Sequence, residues 1–316
     1  MLDQKKYNIV FMGTSDFAAP FLEALNKAPF LKISAVYCQM DRPSGRGLPC
    51  ACCSVKNKAQ ELNLNIFQPL NFKEEAEIQK LKAKNPDAII VASYGMILPD
   101  AVLDIPRFGC VNIHPSLLPC YRGATPIQQA LVDGAKETGI SIMLLDEKMD
   151  HGPLLAQEKL KIEKDDNIFS LNKKLVKLGI NLLLATLPLY FSGKIKLMPQ
   201  DHHKATFTKM TKKEDGKINW RESASQVERK IRAYSGWPAS FAFWQEKRIL
   251  VTAAAAVNMR GIKKNIGEVF LCNGAIHIQC GKGILQIKKL KLAGKKEMTA
   301  EEFLRGYAGI VGAVLR

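Results

Sequence analysis

The stretch Asn8-Ile-Val-Phe-Met-Gly-Thr-Ser-Asp16 shows how the first two thirds of the chain are built. A strand-type run ends at a single glycine, and polar residues then open a helix. Short β-rich runs of this kind alternate with helical patterns, and they lie at Asn8 to Met12, Ile33 to Cys38, Asp87 to Ser93, Cys110 to His114 and Ile140 to Asp146. The alternation predicts βαβ units and an α/β fold with a Rossmann-like, mostly parallel sheet.

The turn after the first run lies where doubly wound proteins bind phosphate groups. It contains only Gly13, so the dinucleotide fingerprint G-x-G-x-x-G is absent. We interpret Met12 to Asp16 as a strand-to-helix turn with a side-chain cap, and not as a ligand site.

Two helices are predicted from capping and periodicity. Asn71 and Glu74 form a capping-box pattern that opens a helix over Phe72 to Lys84. A longer helix is predicted from about Asp166 to Phe191, with Gly193 as its stop. Its apolar face comprises Ile168, Leu171, Leu175, Leu178 and Leu182.

No signal-peptide pattern opens the chain, and no uncharged apolar run reaches the roughly 18 residues of a bilayer span. The longest candidate, Ile180 to Ser192, is shorter than this and contains a proline. We therefore expect a soluble cytoplasmic protein with no membrane partner.

The pattern changes after the long helix. Polar, proline-containing sequence is followed by short strands with tight-turn residues between them, including Asn273-Gly274, which is a strong hairpin signal. This part predicts a small antiparallel barrel of the OB-like kind, which commonly binds nucleic acid. The predicted domains are a catalytic domain at 1–195, a linker at 196–210 and a basic OB-like domain at 211–316.

Positive charge is concentrated in the last third of the chain. The 316 residues carry a net charge of +16, and residues 196–316, with 23 basic and 10 acidic side chains, account for +13 of it. A polyanion is the expected partner of such a segment.

The eight cysteines indicate reduced thiols rather than a disulfide framework. Cys50 and Cys53 form one CxxC spacing, but no second CxxC and no histidine at ligand spacing accompanies it. We expect no metal site.

Three polar residues are the candidates for catalysis. Asn112 and His114 alternate on a predicted strand and share one face near its carboxyl end, where open α/β sheets place their sites. Asp150 follows another strand on the same rim. An amide donor, an imidazole and a carboxylate can stabilise an oxyanion and move protons in acyl transfer.

The chain resembles the folate-dependent formyltransferases in four stretches, namely Asn112 to Pro119, Tyr121 to Ile127, Glu137 to Met143 and Asp150 to Gly152. Three further stretches, Asp41 to Gly47, Ile231 to Tyr234 and Trp237-Pro238, are similar to those members that formylate methionyl initiator tRNA. The resemblance extends over nearly the whole chain.

The resemblance implies an enzyme that transfers a formyl group from N10 of 10-formyltetrahydrofolate to the α-amine of methionine on initiator tRNA. Asn112 and His114 would donate to the oxyanion, while Asp150 would hold the imidazole and help remove the amine proton. The folate pocket would be lined by Ser116, Leu117, Leu118 and Pro119.

The same resemblance implies two contacts with tRNA. The loop from Asp41 to about Ser54 would reach the acceptor stem, with Arg42 and Arg46 as the expected contacts. The barrel would hold the phosphate backbone through Lys288, Lys289, Lys291, Lys295 and Lys296. The enzyme is expected to act as a monomer.

Three alternatives remain open. A related enzyme could formylate an amino sugar attached to a nucleotide, although such an acceptor is not expected to need this charge excess. Water could replace the amine, which would make the protein a 10-formyltetrahydrofolate hydrolase. A non-catalytic RNA-binding protein is the third, and the intact Asn112, His114 and Asp150 argue against it.

Overall fold

The computed structural model describes residues 6–43, 50–259 and 261–316. The helices are α1 (Ala19–Lys27), α2 (Ser54–Glu61), α3 (Glu75–Lys82), α4 (Asp100–Leu103), α5 (Pro126–Asp133), α6 (Ile168–Phe191), α7 (Ala224–Ala233) and α8 (Ala300–Tyr307). The strands are β1 (Tyr7–Gly13), β2 (Leu31–Tyr37), β3 (Arg42–Pro43), β4 (Cys50–Ala51), β5 (Ile66–Phe67), β6 (Ala88–Ala92), β7 (Cys110–His114), β8 (Arg122–Gly123), β9 (Glu137–Leu144), β10 (Leu154–Lys161), β11 (Phe207–Thr208), β12 (Ser240–Trp244), β13 (Lys247–Val257), β14 (Val269–Cys272), β15 (Ala275–Gln279), β16 (Ile284–Leu292) and β17 (Met298–Thr299).

The chain forms two compact units that are interleaved in sequence. The first contains the chain up to Gly123, Glu137–Lys161 and Asn172–Phe207, and the second contains Ala124–Lys136, Ile162–Leu171 and Thr208–Arg316. The division into 1–195, 196–210 and 211–316 stays a prediction about the domains.

The first unit is built on a seven-stranded sheet in the order β10-β9-β7-β6-β1-β2-β5. Five neighbouring strands run parallel, namely β7, β6, β1, β2 and β5, while β9 lies antiparallel to both β7 and β10. Central β6 is buried along its whole length, as expected for a strand covered on both faces. The predicted α/β fold with a mostly parallel sheet is therefore confirmed.

Gly13 ends β1 where a side chain has no room. A Cβ there would meet the Ala92 carbonyl oxygen at 2.9 Å and the Ala18 Cβ at the same distance. The Thr14 hydroxyl donates to the Tyr94 carbonyl, so the turn after β1 is joined to the end of β6.

The predicted helix at Phe72 to Lys84 begins later than expected. Asn71 Oδ1 accepts a hydrogen bond from the backbone N–H of Lys73, which forms a local turn, and α3 starts at Glu75 with Glu74 as its N-cap. The capping box was therefore wrong: Asn71 satisfies a backbone donor outside the helix.

Helix α6 matches the predicted bounds closely, but of the predicted apolar face only Leu171 and Leu175 are fully buried, while Ile168, Leu178 and Leu182 are half-buried. The buried stripe has residues four apart, at Leu171, Leu175, Gly179, Leu183 and Leu187. By length and composition alone the helix is apolar enough to cross a membrane. It contains Lys173, Lys174 and Lys177, so it holds no uncharged run of the length of a bilayer span. Gly179 lies against the Phe21 ring, where a Cβ would approach Cζ to 2.8 Å. In this structure the helix packs by this stripe.

The second unit contains an antiparallel sheet in the order β12-β13-β16-β15-β14, with β17 paired to β16. The end of the chain joins its two edge strands. Arg316 exchanges backbone hydrogen bonds with Phe243 of β12, and Ala313 accepts from the Val269 N–H of β14. These bonds close the sheet into the small barrel that the sequence predicted.

Two helices of this second unit begin with full capping boxes. Ser223 pairs with Gln226 at the start of α7, and Thr299 pairs with Glu302 at the start of α8. Hydrogen bonds from the Thr299 backbone and hydroxyl hold the pKa of Glu302 below its usual value.

Every cysteine whose side chain is described is free. Burial raises the pKa of the Cys110 and Cys280 thiols to about 12. Cys53 is the N-cap of α2, where its sulfur accepts from the Lys56 N–H.

Candidate active site

Strand β7 carries two polar side chains at its carboxyl end. Asn112 and His114 alternate with Val111 and Ile113, and all four residues are buried. Because alternate residues of a strand point to one face, the two polar side chains share a side of the sheet. His114 lies opposite Ser141 of β9.

The His114 ring is held by the chain that follows it. Its Nε2 lies 2.9 Å from the Tyr121 carbonyl oxygen, and because a carbonyl only accepts, Nε2 carries a proton. The other nitrogen, Nδ1, lies 3.6 Å from Oδ1 of Asp150. This separation is longer than a hydrogen bond. Nδ1 is therefore the ring nitrogen available to reacting atoms.

Asp150 reaches the site from the loop between β9 and β10. The residue has a positive φ of 50° and is only 9% exposed. Its Oδ2 accepts a 2.7 Å hydrogen bond from the Gly123 N–H, so Oδ1 is left facing His114. The structure thus brings Asp150 to His114, on the face of β7 that also carries Asn112. The expected route was wrong, because β9 runs antiparallel to β7 and ends beside Val111, and the loop after β9 carries Asp150 back to His114.

These three groups suit proton transfer beside a polarised carbonyl. No hydrogen bond from the Asn112 side chain to another residue is found in the described part of the chain, so its amide can donate to an oxyanion. An imidazole in contact with a carboxylate can accept, hold and return a proton. The arrangement supports direct acyl transfer to an incoming nucleophile.

The loop that follows β7 is fixed by hydrogen bonds from neighbouring strands. The Ser141 hydroxyl donates to the Ser116 carbonyl and accepts from the Leu118 N–H. Gln157 Nε2 donates to the Leu118 carbonyl at 2.9 Å and to the Ser141 hydroxyl at 2.8 Å. The Ser116 hydroxyl donates to Cys120 within the same loop.

The four residues predicted to bind folate therefore lie together but differ in what they can offer. The Leu118 side chain is 3% exposed and packs with Met143 and Leu154, and its backbone groups are already paired. Leu117 and Pro119 are only half-buried. The apolar surface open to a ligand thus comes from Leu117 and Pro119.

Gln200 was missed by the sequence analysis, which placed it in a linker. It is 6% exposed, and its Nε2 donates to the backbone carbonyls of Asp150 and Gly152 at 3.0 and 2.7 Å. Its Oε1 accepts two hydrogen bonds from the buried Arg122 guanidinium. No sequence pattern could have indicated Gln200, because its partners are backbone groups about 50 residues away. Arg122 and Ser141 lie in stretches that carry the family resemblance.

The predicted RNA-binding lysines lie on β16 and the turn after it. Lys288 and Lys289 are both exposed because the pairing of β13 with β16 shifts register beside them. Lys291 is half-buried, and Lys295 and Lys296 are exposed. Lys289 Nζ lies 3.5 Å from Glu297, so part of its charge is already compensated.

The predicted RNA-binding arginines cannot be placed. Arg46 and the side chain of Arg42 lie outside the described residues. The base of their loop is described: Asp41 forms a 2.5 Å ion pair with Lys56 and accepts from Gln68 Nε2 at 3.0 Å. These contacts, chiefly the hydrogen bond from Lys56, lower the pKa of Asp41.

Two models of known protein families match this chain. The family model described as formyl transferase matches residues 6–187, and the model described as formyl transferase, C-terminal domain, matches residues 210–308.

Curated relatives match nearly the full chain. A methionyl-tRNA formyltransferase of Halalkalibacterium halodurans is 39% identical over 311 residues, which cover 97% of this chain and 98% of that protein. One from Caldicellulosiruptor saccharolyticus is 39% identical over 313 residues, covering 98% and 99%.

Solved structures share the fold at low identity. An N-formyltransferase from Helicobacter canadensis has a TM-score of 0.65 at 15% identity, covering 89% of this chain and 98% of that one. HypX from Aquifex aeolicus, in complex with tetrahydrofolic acid, has a TM-score of 0.62 at 17% identity. That match covers 97% of this chain but only 48% of HypX.

Proposed function

This chain belongs to the methionyl-tRNA formyltransferase family, and from that membership we propose that it transfers a formyl group from N10 of 10-formyltetrahydrofolate to the α-amino group of methionine on initiator tRNA. The product is the formylmethionyl-tRNA that starts translation. The observation that carries the proposal is the contact of His114 Nδ1 with Asp150 Oδ1 beside Asn112.

The α-amine is the nucleophile in this reaction. Its nitrogen forms a bond to the formyl carbon, and the formyl oxygen becomes an oxyanion. The Asn112 amide donates to that oxygen, and His114 interacts with it through Nδ1, because Nε2–H is held by Tyr121. Donors that act mainly on the developing charge accelerate the chemical step.

Asp150 takes the proton that the amine loses, directly or through a water molecule. The Gly123 N–H keeps its carboxylate oriented throughout. Collapse of the tetrahedral intermediate breaks the bond from carbon to N10, and N10 accepts the proton that Asp150 returns, directly or through water. Tetrahydrofolate and the formylated amine are then released.

The formyl donor, 10-formyltetrahydrofolate, binds against the loop of Ser116, Leu117, Leu118 and Pro119. Leu117 and Pro119 offer apolar contact, as expected of a small-molecule pocket. Ser116 and Leu118 support the loop from within, since their polar groups pair with Cys120, Ser141 and Gln157.

The basic second unit binds the tRNA backbone. Lys288, Lys289, Lys291, Lys295 and Lys296 supply affinity that depends on salt and little on base sequence. Arg42 and Arg46 contact the acceptor stem. The enzyme works as a cytoplasmic monomer.

An assay with parallel acceptors tests this function. The purified full chain is given 10-formyltetrahydrofolate with methionylated initiator tRNA, methionylated elongator tRNA, a nucleotide-linked amino sugar, or no acceptor. Formyl transfer to initiator tRNA alone is expected. Transfer to the sugar, or release of formate without an acceptor, would assign the same site to a different reaction.

A further inference from the structure

We propose that Gln200 is a positioning residue, whose amide holds the Asp150 loop so that the carboxylate faces His114. This inference rests on the proposed function for the reaction itself. The hydrogen bonds that Gln200 donates go to the main chain of Asp150 and Gly152, so it acts on the backbone that carries the Asp150 carboxylate.

The orientation of the Gln200 amide is fixed by its partners. A guanidinium can only donate, so the oxygen of the amide must face Arg122, whose Nη2 and Nε lie at 2.6 and 3.2 Å. The two carbonyl oxygens can only accept, so the NH2 group must face them. All four hydrogen-bonding positions of the amide are used, and a flipped amide would lose every one of them.

The Asp150 loop has two features that make such support necessary. Asp150 has a positive φ, a conformation that costs free energy in a residue with a Cβ. Gly152 is packed so closely that a Cβ would come within 2.1 Å of the Leu144 carbonyl oxygen. Gln200 bonds to the carbonyls of these same two residues and so stabilises both ends of the turn.

Arg122 links the hydrogen bonds of Gln200 to the orientation of the Asp150 carboxylate. It is 3% exposed, and its backbone N–H donates to the Thr206 carbonyl. The next residue, Gly123, donates to Asp150 Oδ2. One short segment therefore orients both the Gln200 amide and the carboxylate that Gln200 positions.

His202 adds a further contact to the guanidinium. Arg122 Nη2 donates to its Nδ1 at 2.9 Å, and the His202 ring stacks on His151 with 3.9 Å between centroids. Desolvation, followed by repulsion from His151 and Arg122, lowers the pKa of His202, which favours the neutral ring that can accept this bond. His151 is in turn held by Asp146 at 2.6 Å.

The test is the steady-state kinetics of Gln200→Glu in the full chain. The side chain keeps its size, but it cannot donate to the two carbonyl oxygens. We expect kcat for formyl transfer to initiator tRNA to fall about 10- to 100-fold, because small misplacements of a catalytic group are costly. The KM values for donor and tRNA should stay within about threefold.

Gln157→Glu is the matched control. It removes a similar pair of amide donors, but from the Leu118 loop that supports the proposed folate site. We expect the KM for the donor to rise while kcat stays within about threefold. A fall in kcat alone for Gln200→Glu, with a rise in KM alone for Gln157→Glu, would distinguish a positioning role from a general loss of packing.

Arg122→Lys provides a second variant if Gln200→Glu does not fold. It keeps Gln200 but removes the forked donor that fixes the amide, and we expect a smaller fall in kcat per folded protein. Folded Gln200→Glu with wild-type kcat would overturn the inference while leaving the proposed function intact. A wild-type chain without formyl transfer would overturn both.

Discussion

His114 contacts Asp150 through Nδ1 at 3.6 Å, while its opposite nitrogen, Nε2, donates to the Tyr121 carbonyl at 2.9 Å. The ring is therefore held from one side and presented to the carboxylate from the other. Since Tyr121 and Gly123 belong to one short segment, the same stretch of chain orients both partners.

Asn112→Ala should lower kcat on the order of 100-fold with little change in KM. The amide is proposed to donate to an oxygen that becomes charged only in the transition state, so its loss affects the chemical step. Single-turnover rates with saturating donor and tRNA measure this. A rise in KM at constant kcat would instead assign Asn112 to substrate binding.

Gly152→Ala should lower kcat while the protein still folds. A Cβ would approach the Leu144 carbonyl to 2.1 Å, so the turn after Asp150 has to shift. Gly306→Ala in α8 is the matched control, because nothing lies within 4 Å of its Cβ position and alanine favours a helix. Full activity in both variants would show that the Asp150 turn tolerates displacement.

Replacement of Lys288, Lys289, Lys291, Lys295 and Lys296 by glutamine should weaken tRNA binding and reduce the slope of log affinity against log salt. The slope should change by about one for every lysine that neutralises a phosphate in the wild-type complex. Exposed lysines of the first unit provide the control, namely Lys27, Lys73, Lys80, Lys82 and Lys159. An unchanged slope in the second-unit variant would place the RNA elsewhere.

Unfolding stability should fall at alkaline pH, in part through Cys110. Burial raises the pKa of its thiol from 9.0 to about 12. Between these values the unfolded chain loses the proton while the folded chain keeps it, so the unfolding free energy decreases as pH rises from 9 to 12. Denaturant unfolding of Cys110→Ala should show a shallower decrease over this range. Parallel curves for variant and wild type would contradict the assignment.

The position of the site could be predicted from sequence because local patterns determine it. Asn112 and His114 alternate within an apolar run, which places them on one face of a strand, and the run ends at a proline. Asp150 follows a second strand of the same sheet. That strand, β9, is antiparallel to β7 and ends beside Val111, so the strand pattern placed only Asn112 and His114. The approach of Asp150 to His114 depends on the loop after β9.

Other features depend on contacts between distant backbone groups and could not be predicted. Gln200 lies in polar sequence typical of a linker, and only the folded chain shows that it binds the Asp150 and Gly152 carbonyls. The closing of the barrel by Ala313 and Arg316 is likewise made through backbone hydrogen bonds. The Asn71 side chain could either cap a helix or close a local turn, and in the structure it accepts from the Lys73 N–H and closes the turn.

The most direct test of the account is the turnover of methionylated initiator tRNA and 10-formyltetrahydrofolate by wild type, His114→Ala and Asp150→Ala. Both variants should fold and lose on the order of a hundredfold or more in kcat. His277→Ala, which removes a buried histidine from β15 of the second unit, should keep its turnover per folded protein. Near-normal rates in both His114→Ala and Asp150→Ala would contradict the account, because the reaction would then not depend on this contact.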